Sequence, residues 1–232
     1  MQPLTVVLVL FEFVVLLLAI SVHDAAQAWM AARLGDPTAR MLGRLSLNPL
    51  RHIDVLGTLI WPAIYIFFNP LVLGWGKPVP ITPNNFRNPS RDEMTVYAIG
   101  PLAHLLAAAA CLIALLILKH VVPGAAGSLQ SAEYLALRVP IPTDGLPSVF
   151  PVVLFLYFGI LTNLLLCAFN VIPLPGLDGG KVLRYFLPYD AARAFDSYGL
   201  YLMIAFMLVG FRIVMFLFAP LLGLFNQMLA VL

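Results

Sequence analysis

The chain has 232 residues, of which 62% are hydrophobic and only 10% charged, whereas soluble domains carry roughly 25% charged residues. A water-soluble fold of this size could not bury so much apolar surface, so the composition predicts a protein of the lipid bilayer. The net charge of +2 gives no basis for nucleic-acid binding, and Cys111 and Cys167 lie in apolar runs, where reduced cysteine acts as a small core residue.

The first apolar segment runs from about Leu4 to Leu34 and stops at Gly35-Asp36-Pro37. At 1.5 Å per residue it is roughly 45 Å long, more than a bilayer core requires. Ala26-Gln27-Ala28 imitates a signal-cleavage site. No basic stretch precedes it, Glu12 interrupts the apolar run, and the helical pattern continues to Leu34, so a retained helix is expected. A loop from Thr38 to Asp54 follows, then a second span over about Val55 to Leu73. Gly74-Trp75-Gly76-Lys77-Pro78-Val79-Pro80 and the polar stretch to Asp92 read as extended chain and turns.

The third span covers about Met94 to Leu118, and Lys119 to Ser148 is the longest connection. The fourth covers about Val149 to Val171 and ends at Ile172-Pro173-Leu174-Pro175. The last apolar region, about Tyr198 to Leu232, has room for one tilted helix or two short ones, with Gly210 and Pro220 as break points. Five or six spans are expected, in one membrane domain covering residues 1–232. In a five-span arrangement the Lys and Arg residues divide equally between the two sides, so their count gives no orientation.

Ionisable side chains at membrane depth are costly and usually functional. His23 and Gln27 are one helical turn apart, Asp24 follows His23, and Glu12 falls near the same stripe. Taken alone, the pattern equally fits a polar contact between helices. The second constellation is Asn170-Val171-Ile172-Pro173-Leu174-Pro175-Gly176-Leu177-Asp178-Gly179-Gly180. Its prolines force extended backbone and set Asp178 just before a short helix. A helix cap would explain Asp178 by itself.

Together these stretches resemble the site-2 protease family of intramembrane zinc metalloproteases, in its short bacterial form. In that family a His-Glu-x-x-His helix supplies two zinc ligands and a general base. A distant Asn-x-x-Pro-x-Pro-x-Leu-Asp-Gly motif supplies the third ligand and is complete here from Asn170 to Gly179. The resemblance extends through Arg33-Leu34-Gly35-Asp36-Pro37-Thr38-Ala39-Arg40, Leu47-Asn48-Pro49-Leu50-Arg51-His52-Ile53-Asp54, Gly74 to Pro80, and Gly100-Pro101-Leu102-Ala103. It covers most of Leu16 to Leu183. The first motif departs: it reads His23-Asp24-Ala25-Ala26-Gln27, with Asp where the base is Glu and Gln where the second ligand is His.

The resemblance implies an all-α polytopic membrane fold with a small membrane-associated β layer from Thr38–Asp54 and Lys77–Asn88. It implies zinc held by His23 and Asp178, with Gln27 or His104 as third ligand. Asp24 would act as base and Asn170 would position the substrate. His104 stands where the family has Asn, and a plain contact between helices is the simpler account of it. His52 is expected at the entrance of the site and His120 at a membrane interface. The implied activity is cleavage of peptide bonds in or near the membrane span of a protein substrate, by a multi-pass protein of the cell membrane. The alternative is a non-catalytic relative that binds membrane segments without cutting them. A transporter is disfavoured, because no duplicated broken helices occur.

Overall fold

A computed structural model describes residues 3–65 and 71–232. Ten α-helices are formed by the described residues: α1 (Pro3–Leu34), α2 (Thr38–Met41), α3 (Trp61–Tyr65), α4 (Pro89–Val121), α5 (Ala125–Ala136), α6 (Phe150–Val171), α7 (Asp178–Phe186), α8 (Tyr189–Ser197), α9 (Gly199–Val209) and α10 (Phe211–Val231). Four of them, α1, α4, α6 and α10, are long and apolar enough to cross a bilayer. α6 is the central helix: 83% of its most apolar window is buried, against 22–39% for the other three. Its inward positions, such as Tyr157, Phe158, Leu161 and Leu165, join α1, α4, α5 and α10 in one apolar core.

α1 and α4 run antiparallel. Ala31, near the end of α1, packs with Phe86 and Val96 at the start of α4. At the opposite face the ends of α4 and α10 meet, where Lys119 Nζ donates to the Leu229 carbonyl over 2.7 Å. Asn226 there links Tyr157 of α6 to Glu133 of α5. α1 stops as its sequence predicts. Gly35 adopts φ +113, and the Asp36 amide reaches back to the Ala31 carbonyl at 2.9 Å, the pattern of a glycine-terminated helix.

The expected five or six spans are corrected to four among the described residues. The expected second span, Val55 to Leu73, includes residues 66–70, which lie outside the described residues. Its described part begins as a π-helical turn, Val55–Ile60, that continues into α3. From residue 71 the chain runs back. Trp75 N–H donates to the Gly57 carbonyl (3.1 Å) and Lys77 N–H to the His52 carbonyl (2.8 Å), so the segment leaves by the face it entered. Hydropathy alone does not separate an apolar run that crosses from one that turns round.

Residues 72, 74 and 76 follow α1 step for step. Val72 N–H donates to Glu12 Oε1 at 2.5 Å. A Cβ on Gly74 would meet Leu16 at 3.3 Å, and one on Gly76 would meet Ile20 at 2.5 Å. The expected β layer is also corrected. No strand is present among the described residues, and the extended chain makes its backbone bonds to a loop and a π-helical turn. Of the two foreseen break points in the last apolar region, Gly210 separates α9 from α10, and Pro220 lies inside α10.

Candidate active site

Two motifs 155 residues apart in sequence meet between α1, α4 and α7. The chain leaves α6 at Val171, turns through Pro173 and Pro175, and starts α7 at Asp178. Gly179 and Gly180 allow this. A Cβ at either would stand 2.1 Å from the Val171 carbonyl oxygen or 1.8 Å from that of Leu174. The first turn of α7 is thereby pressed onto the turn before it, and Asp178 points into the bundle. His23 Nε2 lies 2.7 Å from Asp178 Oδ2, and Gln27 Nε2 donates to the same oxygen at 3.0 Å.

Gly100 of α4 forms the floor of this convergence. A Cβ there would come within 2.4 Å of His23 Nε2, 2.6 Å of Asp178 Oδ2 and 2.7 Å of Gln27 Nε2. The Gly-Pro that marks this part of α4 in the sequence therefore presents bare backbone to the polar trio.

Asp24 bridges the trio and the loop beyond it. Its Oδ1 is 3.0 Å from His23 Nδ1. Its Oδ2 accepts from Arg44 NH2 at 2.9 Å and lies 3.1 Å from His52 Nδ1. His52, expected at the entrance, is instead buried (1% exposed), and its Nε2 donates to the Ser46 carbonyl at 2.7 Å. Arg44 had no assigned role in the sequence; it is 6% exposed and also donates to the carbonyls of Lys77 and Pro78.

His104 is 1% exposed. Its ring stacks on that of His23, centroids 4.8 Å apart and 25° from parallel. Nδ1 is 3.0 Å from Asn163 Oδ1 on α6, while Asn163 Nδ2 donates to the Gly159 carbonyl. With the amide so turned, Asn163 Oδ1 accepts and His104 Nδ1 carries the proton. The contact between helices foreseen for His104 is present, to α6 as well as to α1. His120 is exposed at the end of α4.

A cavity of about 330 Å³ opens beside these groups. Its polar lining includes His23, Asp24, Gln27, His104, Asn170, Asp178 and Lys181, and Trp61, Leu73, Trp75, Phe169 and Phe206 are among its apolar walls. Asn170 Nδ2 is committed to the Leu166 carbonyl (3.0 Å), which leaves its oxygen as an acceptor. Lys181 Nζ lies 3.8 Å from the centre of the Tyr97 ring. Burial lowers the Lys181 pKa, and the Asp178 and Glu93 carboxylates offset part of that fall.

The arrangement defines a class: a membrane helix bundle with a polar centre made by a His-led motif on one helix and a Pro-rich Asp motif after another. The chain belongs to Peptidase family M50, the site-2 protease family, whose family model matches residues 11–210. It is 31% identical over 175 residues to the "Putative zinc metalloprotease YwhC" of Bacillus subtilis (strain 168), across 75% of this chain and 68% of that protein. No solved structure matches the chain.

The family name implies zinc, and the donors can be tested against it. A catalytic zinc takes three protein ligands from His, Asp, Glu or Cys, plus water. His23 and Asp178 are of this kind. Gln27 turns its amide nitrogen to Asp178, and the reverse orientation would set two acceptor oxygens 3.0 Å apart. Among the described residues no group of three or more His, Cys, Asp or Glu side chains is gathered to hold a metal ion. The residues at the three family positions do not fit the family's zinc.

Proposed function

We propose that this chain is a site-2-type membrane protein that receives an unwound membrane segment of a partner protein in its cavity and holds it without the family's hydrolysis. The observation that carries this reading is the placement of Asp24. A general base must reach the proton it removes, and both oxygens of Asp24 are engaged, Oδ1 by His23 and Oδ2 by Arg44. The apolar walls suit a membrane segment. The oxygen of Asn170 suits the N–H groups that such a segment exposes when its helix opens. The partner is thus a transmembrane protein, met within the cell membrane.

The test uses the full chain in lipid nanodiscs with a panel of transmembrane peptides. Saturable photo-crosslinking without cleavage, unchanged by added zinc, is the expected result. Cleavage by the wild-type chain that Asp178→Ala abolishes would overturn the reading. Restoring the motif with Asp24→Glu and Gln27→His supplies the longer base and the imidazole, and should bring zinc and cleavage together. The base alone contributes roughly 10²–10⁴-fold in such reactions.

A second reading keeps zinc-dependent hydrolysis, with His104 in place of Gln27 as third ligand and Asp24 as base. One observation favours it: with its Nδ1 proton given to Asn163, His104 keeps the Nε2 lone pair, beside His23 and on the cavity wall. The two readings part on metal content. The second requires zinc in the wild-type protein, lost equally in His23→Ala and His104→Ala.

A further inference from the structure

We infer that the Arg44 guanidinium is the resident cation of this polar centre, so that the centre assembles around a side chain and without a metal ion. The inference rests on the reading of Asp24 as unavailable as a base because both its oxygens are engaged, and it adds the group that holds it.

Arg44 stands on the loop between α2 and the 3₁₀ turn Pro49–Arg51. Its guanidinium passes under α1 and binds three separate parts of the chain. NH2 donates to Asp24 Oδ2 on α1 (2.9 Å) and to the Lys77 carbonyl (2.5 Å) on the extended return segment. NH1 donates to the Pro78 carbonyl at 3.2 Å. His52 Nδ1 lies 3.4 Å from NH2 and 3.1 Å from Asp24 Oδ2, which closes a buried triangle. A rigid fork with five donors suits this demand, and an ammonium would not reach all of it.

The charges point the same way. Two carboxylates, Asp24 and Asp178, are buried at the centre. Arg44 is ion-paired to the first. Lys181, one turn along α7 from Asp178, lines the same cavity and feels the second carboxylate. Arg44 and Lys181 therefore already stand against Asp24 and Asp178, with Glu93 acting on Lys181 as well and the His23 ring between the two buried carboxylates. A divalent ion would leave an excess of positive charge inside the membrane bundle, where unpaired charge is costly. Arg44 acts on the cavity through Asp24, which it draws toward the loop, and is a positioning residue.

The experiment uses the full chain, purified in detergent without chelator, and reads metal content and thermal unfolding. Wild type should carry far less than one zinc per chain, and its unfolding should not move on adding chelator. Arg44→Gln and Asp24→Asn should each lower the unfolding temperature, because each strands a buried charge. The double variant should lie well above the sum of the two losses, the signature of a direct pair. Arg44→Lys should retain part of the stability that Arg44→Gln loses. If Arg44→Gln does not fold, recovery of folded protein in the double variant carries the same meaning.

One zinc per chain whose removal lowers the unfolding temperature would overturn the inference, whatever the cleavage assays show. So would additive losses in the double variant. Peptide cleavage by a zinc-free wild-type chain would instead sink the proposed function and leave the role of Arg44 standing.

Discussion

Gly100 decides how closely three side chains gather. A methyl group at that position would overlap His23 Nε2, Asp178 Oδ2 and Gln27 Nε2, the two nitrogens being held to the same Asp178 oxygen. Gly100→Ala should therefore cost about 1–3 kcal/mol by overpacking and part α7 from α1. The check is thermal unfolding together with peptide crosslinking; unchanged values in both would show that the trio is free to spread. The sequence carried much of this trio. Helical spacing put His23 and Gln27 on one face, and the Asn-to-Gly motif nominated Asp178. Spacing did not show that Asp24, one residue on, gives one oxygen to the loop. That follows from Arg44, and a lone Arg in a loop carries no sign of where its guanidinium travels. His52 was misplaced for the same reason: its burial comes from the return of Lys77 and Pro78 over the loop, a long-range contact.

At the level of elements, the return segment is the part least visible in the sequence. Non-helical backbone in a membrane bundle must find protein partners for its polar groups, and Glu12 supplies one. Its Oε1 accepts from Val72 N–H, and its Oε2 pairs with Arg138 NH2 at 2.6 Å. Glu12→Ala would strand both, at about 3–5 kcal/mol for the ion pair alone. Hydrogen exchange should then rise at residues 72–77 before it rises in α6; uniform protection across the chain would deny Glu12 this role. A second fastening lies at the loop end. Asp36 takes hydrogen bonds from Thr38, Thr82 and Asn85. Burial alone would raise its pKa, but these donors outweigh it and hold the carboxyl below the usual carboxylate range. The sign follows from that direction. The fastening contributes fully above the ordinary Asp value, near 3.9, and is lost as pH falls through the depressed value in the folded state. Acid unfolding of Asp36→Asn should lack this component, and an unchanged acid limb would remove Asp36 from the account. α1, α4 and α6 were legible because long apolar runs with strong stops have few alternatives.

For the whole molecule, taking the four candidate spans among the described residues as the crossings changes the charge count. Arg33, Arg40, Arg44, Arg51, Lys77, Arg87, Arg91, Lys181, Arg184 and Arg193 all lie in or beside the segments on the face where α1 ends, ten of the 13 Lys and Arg. Lys119 and Arg138 belong to the opposite face, and Arg212 opens α10. The equal division expected for five spans came from counting the re-entrant segment as a crossing. Loops rich in Lys and Arg stay in the cytoplasm. The motif-bearing face is therefore expected there, with Leu232 on the far side. Single cysteines at Arg40 and Asp144, probed with a membrane-impermeant thiol reagent on intact cells, should label at 144 and not at 40. The reverse pattern would invert the topology.

The pairing of Glu12 also sets an order of events during synthesis. Its partners stand 60 and 126 residues further along the chain. α1 reaches the bilayer well before either exists. At about 5–20 residues per second, on the order of ten seconds separate the emergence of Glu12 from that of Arg138. Over that interval the first helix holds an unanswered carboxyl group and has no α6 to pack on. A nascent chain arrested before residue 138 should remain beside the insertion machinery, and one extended through α6 should move away into lipid.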